Sequence, residues 1–504
     1  MPQKRKRSIS EADKLRAENE AWLDHAEAVK KAKTKRAADD AEEETKRLAR
    51  MAENRAVLAV PGERGDGNFY ISFVQMGQGD CAIMTTPAGN TLMVDCGSDA
   101  TEADREPYDS KVDGTNRSAA QTRKYLERIR GVIHHPRHLG KARQLDYLIF
   151  THPNTDHYNK IDDGLYTGTV TDEKTGVRIN TYLGIGVLYH SDDTTAYSLQ
   201  IDGDNLTGWL LQRMNDNPSL TRRVTLMHEV TRPGAAKKGK AVKKTASDVA
   251  AAGGLDTDNF EVDSVESPTE EANLAGITEA IVSTVNGDKV ASAATPTVGR
   301  LDAQGGYVIH TETDCTVTLL AAGVRYNYRN DPSDFTNRGS VITLVEVFGK
   351  KVLICGDGTT STEQYIRYDR LKRATESDRV KNLAILQVGH HGSVTSSHHK
   401  FVTGANAEFV VVSTGYRVEK DSLPKGRIVS RHRNVQIAAG RTAKDHEIGM
   451  WVSGSGSHYF LTPLPTAKVP LYTTGTNGSL CFKIDKTTKA VVFLNEEKKK
   501  DGGE

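Results

Sequence analysis

The chain is poor in cysteine, has no long apolar run and carries almost no net charge. Its five cysteines, Cys81, Cys96, Cys315, Cys355 and Cys481, are odd in number, scattered and never at CxxC spacing. That pattern excludes a disulfide framework and a cysteine-type zinc site, and it fits a reducing compartment, here read as the cytoplasm. No apolar run approaches the roughly 18 residues a membrane-crossing helix needs, so no membrane span is expected. Sixty-seven Lys and Arg against 66 Asp and Glu leave a net charge of +1, which gives no whole-molecule field for attracting nucleic acid. The opening "MPQKRKRSIS" is basic, but no apolar stretch follows it as a secretory signal requires. What is present is the composition of a soluble globular protein, 37% hydrophobic and 26% charged over 504 residues, too long for one compact core.

Residues 1–64 read as a basic tail and a long, exposed, charged helix. Ala, Glu, Lys, Arg and Asp dominate, helix propensity is high, and opposite charges recur at helical spacing. Such a helix is a candidate docking element for a protein partner, although too few Leu, Ile or Val occupy the seam positions of a coiled coil. "VPGERGDGN" from Val60 breaks the pattern. Residues 65–490 then read as one α/β domain, followed by a charged tail over 491–504. Within the domain, "FYISFVQMGQGDCAIMTTPAGNTLMVDCGS" predicts three strands separated by turns. "QTRKYLERIRGV" predicts a helix and "LDYLIF" a buried strand. After Gly305, "GYVIHT", "CTVTLLAAG", "SVITLVEVFGKKVLICGDG", "NLAILQVGHHGS" and "AEFVVVSTG" predict strands of a second sheet or of a second half of the first. Between these blocks, 232–300 reads as a flexible, low-complexity insertion with few aromatics. Its five lysines from Lys237 to Lys244 suit a solvated linker.

Three polar clusters each follow a strand: His152, Asn154, Asp156 and His157 in "FTHPNTDHYNK"; Asp357 in "VLICGDG"; His390 and His391 in "LQVGHHGSVTSS". Imidazole and carboxylate are the usual ligands of zinc, manganese and iron. Ligands contributed singly by distant segments, each braced by a strand, suit a catalytic centre better than a zinc finger.

In this order the motifs resemble the metallo-β-lactamase superfamily, and within it the branch found as the soluble domain of ComEC-type DNA-uptake proteins. "FVQMGQGDCAIMTTPAGNTLMVDCGS" is similar to that branch's "DVGQGDA" and the two strands that end in "IDGG". "LDYLIFTHPNTDHYN" is similar to "IDYLVLTHPDADHIGG", "NRGSVITLVEVFGKKVLICGD" to "NNRSLVLLL…LLTGD", and "LQVGHHGSVTSS" to "LKVPHHGSKTSS". "YTTGTNGSLCFKID" resembles the closing "YRTDEDGTI". The resemblance covers about residues 69–160 and 305–487. It implies an αββα sandwich with one or two divalent ions, zinc or manganese. His152, Asp156 and His157 would be ligands, with Asn154 at a further ligand position, Asp357 bridging or holding a second ion, and His390 as the last ligand. Asp156 and His391 are the residues expected to act in catalysis, His391 as ligand or proton donor. Asp80 and Asp95 would buttress the ligand loops. Ser393, Thr395, Ser396 and Ser397 would donate hydrogen bonds to a phosphate, or merely cap the turn.

The chain also departs from the pattern. Asn154 stands where the superfamily has histidine and the ComEC branch often aspartate, and an amide is a weaker donor. Asn159 and Lys160 replace two glycines. The family's isolated histidine has only His190 and His310 as candidates, and "KDSLP" lacks the histidine of "YGHP". The implied activity is metal-assisted hydrolysis, in which a bound water attacks a phosphodiester of DNA or a nucleotide. Two other readings stay open: hydrolysis of a small ester or phosphoester, and a degenerate fold that binds a partner or nucleic acid without cutting.

Overall fold

The computed structural model describes residues 63–98, 119–142, 144–171, 178–191, 197, 206, 209, 222–226, 278–285, 288–293, 306–324, 335–367, 377–415, 422–453 and 459–494. Contacts divide the chain into Met1–Ala56 and Val57–Glu504, and all described residues belong to the second unit. The expected N-terminal helix lies outside them, as do residues 495–504 of the charged tail expected over 491–504; the first part of that tail, Val491–Phe493, is instead a strand.

The strands, in chain order, are β1 (Phe69–Phe73), β2 (Ala82–Thr85), β3 (Thr91–Val94), β4 (Gln144–Phe150), β5 (Tyr166–Thr171), β6 (Arg178–Tyr182), β7 (Gly184–Ser191), β8 (Arg222–Leu226), β9 (Thr278–Val285) and β10 (Asp288–Ala293). After them come β11 (Tyr307–Glu312), β12 (Cys315–Ala321), β13 (Ile342–Val347), β14 (Lys350–Ile354), β15 (Ile385–Gln387), β16 (Phe409–Val412), β17 (His446–Ser453), β18 (Tyr459–Ala467), β19 (Leu471–Thr473), β20 (Leu480–Ile484) and β21 (Val491–Phe493). Two large mixed sheets result, one ordered β10-β9-β8-β7-β4-β3-β2-β1-β20-β21 and the other β11-β12-β13-β14-β15-β16-β19, beside the pairs β17-β18 and β5-β6. The segments after Gly305 thus build a second sheet, but β20 and β21 return to the first.

Both sheets run parallel near the middle. β3, β4, β7 and β8 pair in parallel in the first, and β14, β15, β16 and β19 in the second. A central parallel strand can be covered on both faces: every residue of "QLDYLIF" in β4 is buried, including Asp146, which accepts from Thr91 N–H. Elsewhere local turn chemistry dominates. Phe348 and Gly349 both have positive φ (51° and 79°) and join β13 to β14 as a two-residue turn with the twist that antiparallel partners need.

Each sheet carries helices on one face. Ile129 and Ile133 of the helix Ala119–Ile133, with Ile161 and Leu165 of Ile161–Leu165, share a core with Leu148, Phe150 and Leu188 of the first sheet. Tyr365, Phe401, Val402, Ile428 and Val429, from helices Thr360–Arg367, His399–Ala405 and Gly426–Ala438, pack on Leu344, Leu353 and Val410 of the second. Rings bridge sheet to sheet: Tyr147 meets His310 at 5.6 Å, Tyr189 meets Tyr307 at 6.2 Å, and Phe409 meets Phe482 at 5.3 Å between centroids. Fully burying one such apolar side chain contributes roughly 1.5–3 kcal/mol.

The insertion read over 232–300 needs correction in its last part. β9 and β10 form an antiparallel hairpin that extends the first sheet beyond β8. The Asn-Gly pair in "STVNGDKVAS" is the turn signal for that hairpin, and the Ala- and Ser-rich composition conceals it. Residues 232–277 lie outside the described part.

Among the described residues, no helix is long and apolar enough to cross a membrane.

His432, buried in the helix Gly426–Ala438 with its Nε2 3.1 Å from Ser397 Oγ, yields the first prediction. Burial, helped by the neighbouring Arg431, pushes its imidazole from 6.5 down to about 3. Below pH 6.5 the unfolded chain takes up a proton that the native state refuses until about pH 3. This contribution to stability is therefore full above that window and is lost as pH falls through it. Between pH 6.5 and pH 5 the loss is about 2 kcal/mol. Denaturation midpoints should fall across that range, and His432→Gln should flatten the slope; an equal slope in both proteins would contradict the assignment.

Candidate metal centre

Five loops meet where strands end: Asp80 after β1, Asp95 after β3, His152–His157 after β4, Asp357 after β14, and His390–His391 after β15. Parallel strands place their C-terminal ends on one edge, where open α/β sheets present their sites. The loops are laced through the backbone. Asp80 N–H donates to Asp156 O (3.3 Å), Gly97 N–H to Asp80 O (3.0 Å), Cys96 N–H to His157 O (2.8 Å) and His390 N–H to Gly356 O (2.9 Å). Gly97 permits a close approach, since a Cβ there would collide with the Asp156–His157 peptide. Asp95, His390 and His391 hold φ of 57°, 48° and 50°, a left-handed backbone that is uncommon outside glycine. Each costs on the order of 1–3 kcal/mol and persists only where the surroundings enforce it.

Hydrogen bonds orient the rings. Asp95 is fully buried, and its carboxylate accepts from Thr151 N (2.8 Å), Thr151 Oγ1 (2.7 Å) and His157 Nδ1 (2.8 Å). A carboxylate only accepts, so His157 presents Nδ1–H. Thr151 gives its one hydroxyl proton to Asp95 and can only accept from His152 Nδ1, 3.0 Å away. His391 Nδ1 donates to the Ser413 carbonyl at 2.8 Å. In all three rings Nδ1 is therefore the protonated edge, and Nε2 is the edge that takes a proton or a metal ion. This is the outer-partner arrangement that metal-binding histidines require.

The Nε2 atoms of His152, His157 and His391 and Oδ1 of Asp357 are all buried, none makes a well-aligned hydrogen bond, and they face one another across the centre. Buried polar atoms are nearly always satisfied, and four such atoms gathered together fit a bound cation. Asp357 Oδ1 lies 3.3 Å from His157 Nε2 and 3.3 Å from His391 Nε2. Its Oδ2 lies 3.6 Å from His152 Nε2 and 3.7 Å from His390 Nε2. Ligand atoms of Asp80, His157, Asp357 and His391 all fall within 4.8 Å of one another, so this buried group can hold a metal ion. Asp80, however, faces the Nδ1 edges of His157 (3.9 Å) and His391 (4.0 Å), and its Oδ1 accepts from Gln387 Nε2 at 2.8 Å. Asp156 Oδ2, 3.5 Å from His391 Nε2 and 3.9 Å from His157 Nε2, is the carboxylate on the open edge.

Charge follows this geometry. Burial works against the His157 imidazolium, but Asp357, Asp95 and Asp156 hold it well above its usual range. Against the same penalty, Asp357, Asp156 and Asp80 raise His391 to about 10. Burial and repulsion from His157 drive His152 down to about 3. Asp357 resists burial because His391, His157 and His390 hold it well below the usual carboxylate range. Asp156 is lowered to about 2, chiefly by His157 and His391 against its burial, while burial lifts Asp80 to about 6.

The structure thus brings together His152, Asp156, His157, Asp357 and His391, with Asp80 and Asp95 behind them. Asn154 and His390 are engaged elsewhere: Asn154 Nδ2 donates to Asn337 Oδ1 (2.9 Å), and Asn337 Nδ2 donates to His390 Nε2 (3.1 Å). The geometry therefore favours His391 over the expected His390 as ligand. The hydroxyls expected to meet phosphate are bound within the protein. Ser396 Oγ donates to Gly389 O (2.7 Å), Thr395 Oγ1 pairs with His390 Nδ1 (2.6 Å) and donates to Ser393 Oγ (3.2 Å), and Ser397 Oγ meets His432. These contacts match turn capping. His310 pairs with Glu312 (3.0 Å) and Tyr147 (3.2 Å), and His190 packs on Tyr197. Sequence reasoning misses Thr151, Asn337, Ser340 and Gln387. Asn337 and Ser340 lie in the quoted stretch "NRGSVITL", but nothing local in it signals their partners.

No known protein-family model matches this chain, and no curated protein matches it.

Replacing Asp95 with Asn should weaken Mn²⁺ or Zn²⁺ affinity by about 10–100-fold, measured by chelator competition, while far-UV circular dichroism stays unchanged. Unaltered affinity would remove Asp95 from its orienting role. Because the surrounding carboxylates raise His157 and His391, His391 to about 10, ion uptake should expel protons, and affinity should rise with pH from neutrality up to about pH 10. Calorimetry in buffers of different ionisation enthalpy checks this; uptake without proton release would contradict it.

Proposed function

We propose that this chain is a metal-dependent hydrolase of the metallo-β-lactamase type that cuts phosphodiester bonds in DNA or nucleotides. The observation that carries the reading is the convergence of three histidine Nε2 edges and Asp357 Oδ1, buried and without well-aligned hydrogen bonds. The layering also supports it: each sheet packs helices on one face and exchanges ring contacts with the other sheet, as in an αββα sandwich. Phosphodiester specificity follows from the motif resemblance to the DNA-uptake branch, because a fold alone does not name a substrate. Imidazole with carboxylate suits zinc or manganese.

Asp156, His157, His391 and Asp357 would hold an ion, with His152 on the far oxygen of Asp357. A divalent ion supplies Lewis acidity there, making water nucleophilic near neutral pH and offsetting charge that develops on the substrate. The protein's own part is to orient and to exclude solvent. The side chains of His152, His157, His391 and Asp357 are at most 3% exposed, against 26% for Asp156 and 21% for His390. Substrate therefore approaches over Asp156, whose carboxylate can orient a water or the scissile group. His391 is too enclosed to pass a proton to a substrate and acts as a ligand.

A second reading, a binding module without catalysis, is favoured by the Asn154 amide, which bonds to Asn337 and not to the centre.

Bound metal should first be quantified in the purified protein. Single-stranded DNA, duplex DNA, RNA and cyclic nucleotides are then assayed with Mn²⁺, Zn²⁺ or Mg²⁺. Asp156→Ala and Asp357→Ala should each lower cleavage by more than the ~10–100-fold typical of losing an outer partner. Cleavage that survives both substitutions would defeat the assignment. Absence of stoichiometric metal together with tight nucleic-acid binding would favour the module.

A further inference from the structure

We infer that the centre is built for one ion, and that Asn337 is the positioning residue that closes the place a second ion would need. The inference rests on the metal-centre reading above. Asp357 divides the site between its two oxygens. On the Oδ1 side stand His157 and His391, each 3.3 Å away, with Asp156 Oδ2 facing both rings. That side offers four donors, no fewer than the three protein ligands a catalytic ion takes.

The Oδ2 side has His152 at 3.6 Å and His390 at 3.7 Å, with residue 154 on the adjoining loop. Asn337 takes up two of these three groups. Its Oδ1 accepts from Asn154 Nδ2 at 2.9 Å, and its Nδ2 donates to His390 Nε2 at 3.1 Å. His390 has no second nitrogen to offer, because Nδ1 donates to Thr395 Oγ1 at 2.6 Å. The Thr395 hydroxyl passes its own proton to Ser393 Oγ at 3.2 Å, so the lone pair on His390 Nε2 is the one that Asn337 uses.

Asn337 is itself rigid. It is 6% exposed and sits in the short helix Phe335–Arg338. Its carbonyl accepts from Ser340 N–H at 3.1 Å, and Ser340 Oγ lies 3.3 Å from His152 Nδ1. One segment thus orients His152 and withholds its neighbours. What remains on the Oδ2 side is His152 Nε2 and Asp357 Oδ2, two donors where a catalytic zinc takes three from protein.

The test is a titration of metal-stripped full-length protein with Mn²⁺ or Zn²⁺, read by calorimetry and elemental analysis, on wild type, His390→Gln, His391→Gln and the double variant Asn154→His/Asn337→Ala. Wild type should take one equivalent, with affinity unchanged in His390→Gln and lost in His391→Gln. The double variant should take two equivalents, and its Mn²⁺ form should show the electron paramagnetic resonance of a spin-coupled pair in place of an isolated ion. A purely structural role for Asn337 would not move that signature. Two equivalents in wild type would overturn the inference and leave the hydrolase reading standing, whereas none would overturn both. One equivalent in a double variant that keeps the wild-type far-UV spectrum would remove the role of Asn337. If the double variant does not fold, wild type and His390→Gln decide: one equivalent unaffected by His390→Gln supports the inference, and its loss overturns it.

Discussion

The arrangement depends on one buried carboxylate. Asp95 accepts three hydrogen bonds, two from Thr151 and one from His157 Nδ1. Through them it sets which edge of two imidazoles carries the proton, directly for His157 and through the Thr151 hydroxyl for His152. A histidine can bind an ion only when the correct nitrogen is free, and Asp95 settles that from the side away from the centre. Burial pushes Asp95 upward, while His157 and the Thr151 donors pull the other way. The left-handed backbone at Asp95 turns the chain sharply out of β3, toward the loop that follows β4.

The same logic explains how so much charge survives in the interior. Asp80, Asp95, Asp357, His152, His157 and His391 are all buried. Isolated, each would be expensive to bury; together they satisfy one another only if the number of bound cations and protons balances the carboxylates. Protons on His157 and His391, held there by the surrounding carboxylates, contribute to that balance, and a bound cation would replace them. The two sheets make this possible because their parallel strands deliver loops from both halves of the chain to one edge. The close approach at Gly97 and the left-handed backbones at His390 and His391 are the local cost of bringing those loops together.

Much of this was legible in the sequence, wherever the signal was local. "LDYLIF" has the texture of a buried parallel strand, and "HPNTDH" follows it as a loop rich in histidine and aspartate; both fall on observed elements. β9 and β10 were not read as strands, because small polar residues obscure the alternation that surrounds the Asn-Gly turn. Asn337 was invisible for another reason: its partners lie 183 and 53 residues away along the chain, and no spacing rule reaches that far. The hydroxyls of "GSVTSS" had two readings in sequence, and only their packing against the loop carbonyls and His390 separates those.

The sequence by itself determined the donor inventory: which imidazoles and carboxylates exist, that each follows a strand, and that an amide stands at position 154. It also determined that apolar runs on both sides of the chain would bury those strands. Only the tertiary structure decided which nitrogen of each ring faces the centre, which oxygen of Asp357 each ring meets, and that His391 and not His390 turns inward. The physical reason is that a lone pair's direction depends on what holds the opposite edge of the ring. Here the holders are a carboxylate 62 residues away for His157 and a carbonyl at a neighbouring strand's end for His391, while at His390 an amide takes the Nε2 lone pair itself.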